Sequence, residues 1–74
     1  MATFADRLKE LRKAKGEKQK EIADLLAINE RNYRRYEAGA VDPTASKIQI
    51  LAEHFNVSTD YLLGRVNEVP ESKN

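Results

Sequence analysis

Cysteine and tryptophan are absent from this chain, and glycine, proline and histidine number only three, two and one. Without cysteine, neither a disulfide nor a thiolate metal site can reinforce the core. The lone histidine, His54, has no second histidine to share a metal with, and its place in an apolar helical pattern marks a surface or boundary residue. No G-x-S-x-G or comparable nucleophile signature and no Gly-rich phosphate loop occurs. Paired carboxylates doing acid–base work need a cleft, which a small domain rarely builds. The scarcity of glycine and proline excludes collagen-like and low-complexity chains. No apolar run approaches the ~20 residues of a membrane span, and the N-terminal Met-Ala-Thr-Phe-Ala-Asp-Arg lacks the apolar stretch of a signal peptide. The expectation is a cytoplasmic protein with no metal, no cofactor, no membrane partner and no enzymatic activity.

What is present favours a small folded domain. The chain has 74 residues, 41% hydrophobic and 34% charged, enough for one domain but not two. Its net charge of +1 says little, whereas the distribution of charge says more. Residues 1–36 carry ten Lys/Arg against six acids, a net of +4, and residues 37–74 carry three against six, a net of −3. A basic half and an acidic half suggest one face for a polyanion and a back turned away from it.

The apolar periodicity predicts five short helices and no strand, because no segment alternates with a period of two. The first spans about Phe4 to Lys15. Thr3 and Asp6 form its capping box, Phe4, Leu8 and Leu11 with Ala5 and Arg12 form its buried stripe, and Gly16 stops it. The second runs from Gln19 to Leu26, with Ile22, Ala23, Leu25 and Leu26 as its apolar side. Asn29 caps a third helix, Glu30 to Ala38, which Gly39 closes. After a loop through Pro43, a fourth helix covers Thr44 or Ala45 to Phe55, with Ile48, Leu51, Ala52 and Phe55 inward. Ser58 caps a fifth, which ends at Gly64. The fold class is all-α, a five-helix bundle, with the folded domain over residues 1–65 and a polar C-terminal tail over 66–74.

Two short helices joined by a tight turn across residues 18–39 describe a helix-turn-helix. On the third helix Tyr33, Tyr36 and Glu37 share one side, while the pairs Glu30/Arg34 and Arg31/Arg35 point elsewhere. A helix displaying three arginines and an asparagine offers bidentate donors to guanine and contacts to phosphate in a major groove. The same residues also suit an ordinary solvated face with a surface ion pair.

The order of Leu8-Lys9-Glu10-Leu11-Arg12, Gly16, Gln19, Glu21, Ile22-Ala23, Leu26, Ile28-Asn29, Tyr36-Glu37-Ala38-Gly39, Pro43, Leu51-Ala52, Phe55, Val57-Ser58 and Asp60-Tyr61-Leu62-Leu63-Gly64 resembles the Cro/repressor-type (Xre-type) helix-turn-helix family of phage repressors and bacterial regulators. The resemblance covers about residues 4 to 65. It implies a lambda-repressor-like domain of five helices, usually dimeric on DNA, whose third helix enters the major groove. It places Glu30, Arg31, Asn32 and Arg35 at base-reading positions. Lys18, Gln19, Asn29, Arg34, Thr44 and Lys47 fall at positions near the DNA backbone, and Arg12 with Glu37 match a structural ion pair. Three residues depart from the family pattern: Lys18 replaces a capping threonine, Ala27 a turn glycine, and Tyr33 an aliphatic residue.

The expected function is sequence-specific double-stranded DNA binding by a transcriptional regulator, a repressor more readily than an activator, acting as a homodimer on a palindromic operator. Such a chain is either a minimal single-domain regulator or the DNA-binding part of a longer one. The alternative is an antitoxin-like or antagonist protein-interaction module on the same fold. An exposed apolar patch around Tyr61, Leu62, Val66 and Val69 would favour a protein partner or the dimer.

Overall fold

A computed structural model describes residues 3–67 as five α-helices. These are α1 (Phe4–Ala14), α2 (Gln19–Leu25), α3 (Glu30–Glu37), α4 (Ala45–Phe55) and α5 (Thr59–Leu62). No strand occurs among the described residues. The expected elements agree with the helices to within a residue or two at their ends, where the last turn passes into the cap. Residues 68–74, with Val69 and most of the expected tail, lie outside the described residues.

Local chemistry accounts for the helix boundaries. Thr3 Oγ1 accepts from the Asp6 N–H while Asp6 Oδ2 accepts from the Thr3 N–H, completing the capping box of α1. The Asn29 and Ser58 side chains cap α3 and α5 by accepting from the N–H groups of Asn32 and Tyr61, without the reciprocal bond. The C-terminus of α2 closes as a Schellman motif: the Ile28 N–H reaches the Ala23 carbonyl and the Ala27 N–H reaches Asp24. That closure sets Ala27 at φ +59°, a conformation in which glycine has no steric cost and alanine does. The equivalent position after α1 holds Gly16, at φ +72°.

The core gathers Phe4 and Leu8 from α1, Ile22, Ala23 and Leu26 around α2, Tyr33 and Tyr36 from α3, Leu51, Ala52 and Phe55 from α4, and Leu62 from α5. Leu11, Ile28, Val41, Ile48 and Val57 pack against its edge. Tyr33 is fully buried, so it takes the core place that an aliphatic residue holds in the family pattern.

Two expectations change. Leu25, assigned to the inner side of α2, is 40% exposed. At 3.6 residues per turn it lies roughly 100° from the centre of the face formed by Ile22, Ala23 and Leu26, and α2 ends there before anything can cover it. Leu62, placed in a possible exposed patch, is fully buried, and Leu63 and Val66 are the exposed apolar residues at that end.

Arg7 was not expected inside, yet only 5% of its surface is exposed. Its guanidinium donates to the carbonyls of Tyr61 (2.8 Å) and Val66 (3.0 Å) and to Asn67 Oδ1 (3.3 Å). It also stacks 4.0 Å from the centre of the Tyr61 ring. Position 7 completes the 4, 7, 8, 11 helical stripe. The expected stripe of α1 did not include it.

Candidate nucleic-acid interface

The candidate interface is built outward from one buried carboxylate. Glu37, in the last turn of α3, receives Arg12 from α1 through two bonds, Nε to Oε2 at 2.6 Å and Nη2 to Oε1 at 3.0 Å. The side chains of Arg12 and Glu37 are only 12% and 4% exposed. The Tyr33 hydroxyl donates to Glu37 Oε2, and Gln19 Nε2 donates to Oε1 at 3.1 Å. Burial by itself pushes the Glu37 carboxyl up. The hydrogen bonds from Arg12, Tyr33 and Gln19, with the Arg12 charge, outweigh it and hold the group below the usual carboxylate range. Burial first, then Glu37, raises the Tyr33 phenol well above its ordinary value, so its proton stays in place as a donor. The Glu37 hydrogen bond likewise raises the Arg12 guanidinium. Arg12 Nη1 also binds the Glu17 carbonyl at 3.0 Å. One carboxylate thereby joins α1, the entry to α2, and α3.

This anchoring orients the outer side of α3. With Tyr33, Tyr36 and Glu37 turned inward and buried, Arg31, Asn32, Arg34 and Arg35 are exposed. Glu30 Oε2 pairs with Arg34 Nη1 at 3.0 Å, both side chains about half exposed. The side chains of Arg31, Asn32 and Arg35 make no hydrogen bond or ion pair among the described residues.

The remaining expected positions divide. Lys18 is exposed at the N-cap of α2, where its side chain cannot cap. The Glu21 carboxylate reaches back to the Lys18 N–H instead, at 2.7 Å. Gln19 is half-buried and has one amide hydrogen committed to Glu37. Since a carboxylate only accepts, the Gln19 amide is held with its nitrogen inward. Asn29 Oδ1 is committed to the α3 cap at 2.8 Å. Thr44 at the N-cap of α4 is exposed, its hydroxyl 3.2 Å from that of Ser46, and Lys47 is half-buried. No hydrogen bond or ion pair joins Thr44 or Lys47 to the α2–α3 group among the described residues. No local pattern indicates that Tyr33 and Gln19 join the Arg12–Glu37 pair. None indicates that His54 Nε2 meets the Glu17 carboxylate at 2.8 and 2.9 Å, fastening the α1–α2 loop to α4.

The helix-turn-helix family pattern matches residues 8–62, most of the chain and the whole of this arrangement. The chain belongs to the helix-turn-helix family. Among family members, it is 46% identical over 63 residues to the HTH-type transcriptional regulator ImmR of Bacillus subtilis, covering 85% of this chain and 50% of that protein. It is 35% identical over 60 residues to the cryptic phage CTXphi transcriptional repressor RstR of Vibrio cholerae, covering 81% and 54%. Its fold is similar to the crystal structure of a transcriptional regulator from Listeria innocua, with a TM-score of 0.83 at 38% identity, over 93% of this chain and 64% of that one. The chain spans about half the length of the sequence relatives it matches. No described helix is long and apolar enough to cross a membrane.

Proposed function

We propose that this chain is a DNA-binding transcriptional regulator that recognises a specific double-stranded sequence, acting as a repressor and as a dimer with α3 in the major groove. The observation that carries this reading is the outer face of α3, where Arg31, Asn32 and Arg35 are exposed with no side-chain partner among the described residues. A guanidinium without a protein partner can place two parallel donors on guanine O6 and N7. Glu30, at the N-terminal end of the helix, stands beside them as a further base-reading residue. Lys18, Gln19, Asn29, Arg34, Thr44 and Lys47 serve the sugar–phosphate backbone, where contacts fix position more than they read sequence. Asn29 has its amide N–H groups left for that task, and Gln19 one N–H. The named activities of the relatives, transcriptional regulators and a phage repressor, support the same reading. The DNA-binding domain is taken as residues 1–65.

Selection of binding sites from a random duplex library tests the proposal. A recovered palindrome is expected, with half-sites about one helical turn apart. Against that site, Arg35→Ala should weaken binding and relax preference at one or two positions per half-site. Gln19→Ala should weaken operator and scrambled duplex by more similar factors. If Arg31→Ala and Arg35→Ala both keep wild-type base preferences, these arginines do not read bases. No binding to any duplex at ~50 mM salt would instead favour a protein-interaction module.

A further inference from the structure

Glu30 is the first residue of α3 and the one acid among that helix's outward side chains. A carboxylate on a face that meets a polyanion repels phosphate and accepts hydrogen bonds only. It lowers affinity for DNA in general and is compensated only where the groove presents a donor. Two bases do so in the major groove, cytosine through N4 and adenine through N6. Adenine sets its N7 acceptor beside N6, opposing the second carboxylate oxygen, whereas cytosine has no acceptor on its own groove edge. In a helix-turn-helix the N-terminal residues of the recognition helix approach the base edges, and Glu30 is at that end. The Arg34 guanidinium, 3.0 Å from Glu30 Oε2 and one turn along the helix, holds the carboxylate in one place while both groups stay about half exposed.

We infer that Glu30 is a specificity-determining residue that reads a cytosine in each half-site, with Arg34 as its positioning residue. The inference rests on the DNA-binding reading above. Glu30 selects partly by exclusion, because at guanine or thymine its oxygens face acceptors or a methyl group. The same charge weakens, without abolishing, the contact that Arg34 makes with phosphate.

The test is site selection and binding titration with Glu30→Gln, Glu30→Ala and Arg34→Ala, each first shown to unfold at the wild-type temperature. Glutamine offers a donor beside an acceptor, the pattern that fits adenine N6 and N7. E30Q should therefore move the preference at one position per half-site from cytosine to adenine, by about tenfold. E30A should remove the preference there and bind scrambled duplex more tightly than wild type. Its salt dependence should be steeper by about one phosphate contact, as Arg34 is released. R34A should keep cytosine but by a smaller ratio. If E30Q and E30A retain every base preference of the wild type, Glu30 reads nothing and the inference is overturned, while DNA recognition by the arginines stands. If the wild type selects no sequence at all, both fall together.

Discussion

Ala27 holds a left-handed backbone at φ +59° inside a motif built for glycine. An L side chain there costs roughly 1 kcal/mol, so Ala27→Gly should stabilise the domain by somewhat less, since glycine also loosens the unfolded chain. In thermal unfolding the midpoint is expected to rise by a few degrees; a fall would show that the turn relaxes to another geometry. Glu37 has the opposite sensitivity. Four donors converge on its nearly inaccessible carboxylate, and Glu37→Ala leaves Arg12 partly buried and unpaired. The expected loss is about 2 kcal/mol or more, read by urea denaturation, and an effect below ~0.5 kcal/mol would contradict the burial. The lowered pKa of Glu37 sets the sign of the pH dependence. Above the unfolded value, about 4.3, its contribution is fully present, and it is lost as pH falls through the still lower folded value. Glu37→Gln should flatten that acid limb of the stability curve.

At the scale of elements, α2 and α3 begin differently. Asn29 supplies a side-chain cap to α3, whereas Lys18 supplies none to α2 and sets a cation at the positive end of a helix dipole. Lys18→Thr should restore a cap and raise stability by about 1 kcal/mol. If Lys18 meets phosphate, the same substitution should weaken binding to all duplexes and reduce the salt slope by about one. Measuring unfolding and DNA titration on one variant separates the two effects. A gain in stability with unchanged DNA binding would leave Lys18 no role at the interface. The exposed pair Lys20–Asp24, at 3.2 Å on the solvent side of α2, contributes little to either quantity.

Over the whole molecule, the first and last described segments are joined by Arg7, which holds the backbone from Tyr61 to Asn67 against α1. Arg7→Met keeps the aliphatic stem but leaves the Tyr61 and Val66 carbonyls short of a donor. It should cost on the order of 2 kcal/mol and speed amide hydrogen exchange in residues 61–67 more than in α2 and α3. Uniform loss of protection would mean that the domain opens only as one unit.

The sequence alone was sufficient wherever the cause lies within one turn of helix. Capping residues and positive-φ stops act between residues three to five apart, so Thr3, Asn29, Ser58 and Gly16 mark their helix ends. The periodic stripes placed nearly the whole core, and the outward arginines of α3 follow from the inward tyrosines by the same period. The Arg12–Glu37 pair was visible only through family resemblance, since its partners are 25 residues apart and no local rule joins them. Tertiary structure decided that Gln19 and Tyr33 share that carboxylate, that Glu17 meets His54 37 positions away, and that Arg7 goes inside. It also left Leu25 uncovered. Periodicity assigns a residue to a face, but a buried polar group is tolerated only where distant donors and acceptors converge to satisfy it. That convergence is set by how the helices pack.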